Sequence, residues 1–242
     1  MGAGALQISR HDLSLELSEA VAQTLRGKTA FSVLEAGCGS LTNLQLPNGG
    51  RITGIDISQK QLARNAALDE TILGDLQTFR LPTDQYDCCV CWDVLEHLND
   101  PVSALRNLVQ ATKPGGVMVI AIPNRNSLKG LITLMTPHSF HVWVYRNIYN
   151  RKDAGTDDRG PFKTFLKEAI SAKALKKFAK SHGLTEERFV LYTSTLISSG
   201  YARAPVLFSF YGFLVNALKL CSLGFYDGNL TDIALVWRKG QP

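Results

Sequence analysis

The segment Val33-Leu34-Glu35-Ala36-Gly37-Cys38-Gly39 constrains this chain more than any other, because an apolar run ends there in a Gly-x-Gly turn. Glycine carries no Cβ, so backbone at such a turn can approach a ligand closely. A second apolar run, Ile52-Thr53-Gly54-Ile55, follows and ends in Asp56. Strand, glycine turn, then an acid at the tip of the next parallel strand is how a doubly wound sheet holds a nucleoside. The acid accepts from the two ribose hydroxyls. A Gly-x-Gly alone is weak evidence; with Asp56 in place it predicts a nucleoside site.

Two ligands compete for the turn. A dinucleotide needs a third glycine three residues after the second, where a helix N-terminus faces the pyrophosphate. Thr42 stands there instead. S-adenosylmethionine has a ribose and an adenine but no phosphate, and it needs an acid for its ammonium group, which Glu35 supplies. Further stations follow. Gly74-Asp75-Leu76 closes the run Thr71-Ile72-Leu73 and places an acid to accept from the adenine amine. Tyr86–Trp92 reads as an apolar strand opening into Asp93-Val94-Leu95-Glu96-His97-Leu98, and Lys113-Pro114-Gly115-Gly116 leads into another strand, Val117–Ala121.

In this order and at these spacings the stations resemble the class I S-adenosylmethionine-dependent methyltransferases, in particular the small-molecule branch that includes the ubiquinone and menaquinone methyltransferases. The resemblance is strong over about residues 30–125. It implies an α/β fold: one Rossmann-like doubly wound sheet of about seven strands, the last antiparallel, with helices on both faces, forming a single domain over residues 1–242. It implies S-adenosylmethionine as cofactor, lined by Glu35, Gly37, Cys38, Gly39, Asp56, Ile57, Asp75, Leu76, Trp92 and Asp93. Glu35 would face the amino-acid end, Asp56 the ribose and Asp75 the adenine. One departure stands out. Between Gly39 and Arg51 lie only about a dozen residues, including Pro47-Asn48-Gly49-Gly50, where the family places a helix of about three turns. A single turn of helix is expected there.

Local patterns place the remaining elements. Leu13, Leu17, Val21 and Leu25 recur at four-residue steps and predict an amphipathic helix before the first strand. Ser58 is placed to cap a helix after Asp56, and Asp100-Pro101 and Ser171 start two more, the last stopped by Gly183. Strands at 188–193 and 233–238 are expected to form the antiparallel edge.

Two stretches exceed the minimal fold. Residues 126–165 follow the strand ending at Ala121, at the carboxyl edge where open α/β sheets bind ligands. They carry the run His138-Ser139-Phe140-His141-Val142-Trp143-Val144-Tyr145 and the polar, glycine-bearing Asp153–Pro161, which suits a mobile lid. The alternative is a packed insertion or a fixed dimer contact. Residues 196–230 form an apolar insertion between the last two strands; within it Pro205–Phe225 holds one charged residue, Lys219. A membrane span there would put two paired strands on opposite sides of a bilayer. It therefore reads as a buried helix, a homodimer interface, or a greasy wall toward an apolar substrate or a membrane surface.

Methyl transfer from a sulfonium is an in-line displacement, accelerated mainly by positioning, with a general base helping where the acceptor is a phenol or alcohol. His97, His138 and His141 are the candidate bases; a plain structural role competes for each. Asn124, Phe140, Trp143 and Tyr145 are the candidate substrate contacts. The acceptor is expected to be a small, fairly apolar molecule methylated on oxygen or carbon.

Nucleic acid is the first rival partner, because Arg146–Lys180 holds ten basic against four acidic residues and the whole chain carries a net charge of +5. A run of this kind is ordinarily a solvated helix face. The Asn/Asp-Pro-Pro-aromatic turn of the amino-directed nucleic-acid enzymes is replaced by Trp92-Asp93-Val94-Leu95, and no aromatic stacking platform interleaves with the bases. A non-catalytic binding scaffold is disfavoured by intact Glu35, Asp56 and Asp75. Cys88, Cys89 and Cys91 alternate within one strand and lack His or Cys partners, so they read as small buried residues and no metal is expected. Five cysteines in 242 residues make no disulfide framework, and a reducing, cytoplasmic setting is expected, with peripheral membrane contact as its variant. Met1–Leu6 lacks the basic start and apolar core of a secretion signal.

Overall fold

Leu13, Leu17, Val21 and Leu25 are all buried on one face of the first helix, α1 (Arg10–Leu25), which is capped by Ser9 accepting from the Asp12 N–H. The computed structural model describes residues 7–241, so the reading of Met1–Leu6 lies outside the described residues. A two-residue strand β1 (Gln7–Ile8) precedes α1, and β2 (Phe31–Ala36) follows it. Next come β3 (Gly50–Asp56), α2 (Gln59–Arg64), β4 (Glu70–Leu73) and β5 (Tyr86–Trp92). Ser58 caps α2, and Asp100 with Pro101 starts α3 (Pro101–Ala111), which leads into β6 (Thr112–Pro123).

The first insertion forms α4 (Leu128–Met135) and α5 (His138–Asn147), then a long loop. Helix α6 (Ala172–Ser181), capped by Ser171, precedes β7 (Leu184–Ser194). The second insertion is a helical hairpin, α7 (Thr195–Arg203) and α8 (Pro205–Cys221), and β8 (Asp232–Lys239) ends the sheet's sequence.

The strands lie in the order β1-β7-β8-β6-β5-β2-β3-β4. All pairs are parallel except the two made by β8, which runs antiparallel to β6 and β7. The expected seven-strand sheet is present, with β1 as a short addition. Every residue of β5 is buried, as a central strand covered on both faces requires. Strand alternation sends Cys89 and Cys91 into the core shared with α3 and α6, and Cys88 into the core shared with α1.

One expectation fails. No helix follows Gly39; residues 37–49 are turns and irregular chain. The segment is too short for a helix plus a return to β3, and its hydrogen bonds go to α1 instead. Ser18 Oγ accepts from the Gln45 N–H at 2.9 Å, Ser14 Oγ donates to the Asn43 carbonyl, and Leu44 is buried. No helix among the described residues is long and apolar enough to cross a membrane.

Candidate functional site

The carboxyl ends of β2 and β3 meet in one hydrogen-bonded unit. Gly37 adopts φ 67°, and a Cβ there would lie 2.4 Å from a methyl carbon of Val94, so glycine is required both for the backbone and for the space. Its N–H donates to the Ile55 carbonyl at 2.7 Å. The Gly39 N–H donates to Asp56 Oδ2 at 2.9 Å, and the Ser58 N–H donates to Oδ1 at 2.8 Å. Both carboxylate oxygens are thereby oriented by backbone, and each retains capacity to accept from a hydroxyl.

Glu35 tests whether S-adenosylmethionine fits. Its side chain is 2% exposed, its Oε1 has no partner, and burial pushes its pKa up to about 8 against a hydrogen bond from the Asn43 backbone. A buried carboxyl with an unsatisfied oxygen calls for a cation. The cofactor's ammonium is such a group, so these residues fit it. Gln61, buried on α2 and facing Gly39, also has an unpartnered Oε1. Cys38 is buried beside them, its thiol pushed up to about 12 by burial and then by Asp56, and is an inert filler. Asp75, past the end of β4, accepts from the Gln77 N–H at 2.9 Å; Leu76 is buried and Ile57 stands exposed next to Asp56.

The carboxyl ends of β5, β6 and β7, with the start of β8, form the other half of the edge. Asp93 caps β5 with φ 55° and accepts from Arg10 Nη1 at 2.7 Å. Arg10 also donates to Asn43 Oδ1 at 2.6 Å and lies 5.3 Å over the ring of buried Trp92. Glu96 is buried with Oε2 unpartnered; burial, then Asp93, holds its pKa well above the usual carboxylate range. Lys129 of α4 bridges both oxygens of Asp232 at 2.8 and 2.9 Å. The phenols of Tyr145 and Tyr192 are raised by burial and stay protonated, available as donors. Asn124 sits at the expected edge, but its amide is engaged: Nδ2 donates to the Leu230 carbonyl at 2.7 Å and Oδ1 accepts from the Asn126 N–H at 3.0 Å. It braces the strand end.

His97 lies on a one-turn helix, Leu95–His97, directly after this edge. Its Nδ1 is 2.9 Å from the Lys163 carbonyl, which can only accept, so Nδ1 carries the proton and Nε2 keeps a lone pair. Burial lowers its pKa below the ordinary value. On α5 the helical period separates the aromatic run. His138, His141 and Tyr145 are half-buried, whereas Phe140 and Trp143 stack on one another at 6.0 Å and face outward. His141 Nε2 is engaged with Thr136 Oγ1 at 2.8 Å. The tip of the following loop is docked on α2: Asp157 pairs with Lys60 at 2.8 Å and with Arg64, and Asp158 accepts from Ser58 Oγ at 2.8 Å.

Sequence reasoning missed Arg10, Gln61, Lys129, Tyr192 and Asp232. Glu96 was visible in its motif, but no pattern there marked it as buried and unpartnered.

Comparison with known proteins bears on this arrangement. A family described as methyltransferase domain matches residues 9–185. The ubiquinone biosynthesis O-methyltransferase of Coxiella burnetii is 28% identical over 170 residues, covering 66% of this chain and 65% of that protein. The chain thus spans just under two thirds of this curated relative's length. Among solved structures, an S-adenosylmethionine-dependent methyltransferase from Mesorhizobium loti superposes with a TM-score of 0.52 at 17% identity, over 91% of this chain and 96% of that one. The cyclase SpnF superposes with a TM-score of 0.55 at 18% identity, over 94% and 82%. At such identities the structures establish the fold, and the pair shows that one fold carries more than one reaction.

Proposed function

We propose that this chain, a member of the methyltransferase-domain family, is an S-adenosylmethionine-dependent methyltransferase that methylates a hydroxyl oxygen of a small, largely apolar acceptor. The observation that carries this reading is His97: its Nδ1–H is fixed on the Lys163 carbonyl, which leaves Nε2 as a proton acceptor next to the β5 edge. The name of the Coxiella burnetii relative, an O-methyltransferase, supports the same choice.

The cofactor supplies an electrophilic methyl on a sulfonium, a leaving group that departs neutral. The chain's residues do the rest. Glu35 binds the ammonium, the Gly37–Gly39 turn admits the ligand's backbone-side face, and Asp56 holds the ribose hydroxyls. Tyr145 and Tyr192, as protonated phenols, donate to polar atoms of the acceptor. His97 Nε2 would take the hydroxyl proton of the acceptor, so that the proton ends on the imidazole, while the bound cofactor would supply the methyl group and keep the electron pair of the broken bond on its sulfur.

Transfer of labelled methyl from S-adenosylmethionine to long-chain phenols, to their O-blocked analogues and to RNA tests the reading. Label in the free phenols alone supports it; label in the O-blocked analogues or in RNA overturns it.

A further inference from the structure

The two insertions leave the same edge of the sheet. β6 and β7 run parallel and end there, and antiparallel β8 begins there. Their helices touch. Gly228 lies between Leu128 and Val215, with a Cβ there 3.4 Å from one and 3.5 Å from the other, and the Tyr149 hydroxyl donates to the Leu196 carbonyl at 3.3 Å. Helix α8 turns only Phe208 and Val215 fully inward. Its outer side presents Val206, Phe210, Phe213 and Leu220, with Phe225 just beyond and Met135 at the end of α4, all exposed. A helix apolar all round is stable when covered. Most of the exposed large apolar side chains among the described residues belong to these two segments, so the patch is concentrated.

Charge decides what covers it. Asn124–Lys152 and Thr195–Phe225 together contain seven Lys and Arg and no Asp or Glu; Arg125, Lys129 and Lys219 pair with Glu168, Asp232 and Asp227 from outside these stretches, which leaves the other four in excess. Arg151, Lys152 and Arg203 join no ion pair among the described residues. A two-fold dimer through this face would set the patch against itself, bases toward bases. An anionic lipid surface supplies both the apolar phase and the missing countercharge, and the outward Phe140–Trp143 pair suits the headgroup boundary.

We propose that the α7–α8 hairpin and the α4–α5 insertion together dock the enzyme on an anionic bilayer, with the acceptor edge of the sheet facing the lipid. An apolar acceptor then reaches the site from the bilayer, a consequence that rests on the function proposed above; the docking itself does not.

Co-sedimentation of the full chain with phosphatidylcholine vesicles carrying increasing phosphatidylglycerol tests the docking, without cofactor or acceptor. The expected result is a bound fraction that rises with phosphatidylglycerol and falls with salt. The double substitution Phe210→Glu/Phe213→Glu should weaken partitioning by roughly tenfold or more while leaving the thermal melt unchanged. Lys152→Glu/Arg203→Glu should weaken it on anionic vesicles only. A chain that stays in the supernatant at every composition overturns the proposal, as does a concentration-dependent dimer that Phe210→Glu/Phe213→Glu dissolves. Binding indifferent to phosphatidylglycerol overturns the anionic assignment.

Discussion

Arg10 and Asp93 meet at 2.7 Å across 83 residues of sequence, which ties the first helix to the end of the central strand. The same guanidinium holds Asn43, whose backbone hydrogen-bonds Glu35. Arg10→Ala should therefore weaken cofactor binding about three- to tenfold, the size of one ordinary hydrogen bond, because Arg10 acts on Glu35 only through Asn43. The melting temperature should fall by no more than roughly 3 °C, because a half-exposed ion pair contributes at most about 1 kcal/mol. Calorimetry and a thermal melt of the one variant check both; a large drop in stability with unchanged affinity would contradict it.

With Glu35 at the ammonium as proposed, cofactor binding should be a proton-linked event. The free enzyme holds its carboxyl protonated below about pH 8, and the bound ammonium needs it ionised. Affinity should rise with pH toward about 8, with close to one proton released per cofactor near pH 6.5. The sign for stability is the reverse. A carboxyl raised from 4.5 to about 8 contributes stability that is complete below pH 4.5 and is lost as pH rises to about 8. The gap in melting temperature between the native chain and Glu35→Gln should shift in that direction over this window. Calorimetry in two buffers of different ionisation heat counts the protons; none released would remove Glu35 from the ammonium site.

His97 should set the acid limb of the rate. Burial keeps the imidazole neutral below its ordinary 6.5, so kcat should decline only below that pH. His97→Gln should lose about 100-fold or more in kcat, with the KM for S-adenosylmethionine within a few-fold. A loss under tenfold would reduce His97 to a structural group.

The loop after α5 should tighten with ligand. Asp158 holds Ser58, whose N–H in turn orients Asp56, so the loop tip is two hydrogen bonds removed from that carboxylate. Hydrogen exchange over residues 140–165 should slow when S-adenosylhomocysteine and acceptor are added. Asp157→Ala should raise the cofactor dissociation constant only a few-fold, as the pairs with Lys60 and Arg64 are exposed. Exchange already slow in the free enzyme would argue for a fixed strut.

The places of Glu35, Asp56 and Asp75 at the carboxyl ends of β2, β3 and β4 could be read from sequence because each follows a local signal, an apolar strand that stops at an acid or a glycine. Arg10, Lys129 and Asp232 could not. Lys129 and Asp232 are 103 residues apart, and only the strand order brings them together. The aromatic run on α5 was legible in part. Its period of 3.6 separates the exposed Phe140 and Trp143 from the half-buried His138, His141 and Tyr145, a division that composition alone does not show. The helix expected after Gly39 yields to length: residues 37–49 must both turn and return to β3.

The ends of β7 and β8 are bound to one another where the hairpin departs: Ser194 N–H donates to Thr231 Oγ1 at 3.0 Å, and Thr193 Oγ1 donates to the Asn229 carbonyl at 2.5 Å. The hairpin is therefore a cassette spliced between two neighbouring strand ends. A turn of about two to five residues could bridge that gap. Excision or exchange of the cassette would leave the sheet's register untouched. The hairpin and the carboxyl edge of the sheet are separable parts, open to independent change by insertion in nature or by grafting at the bench.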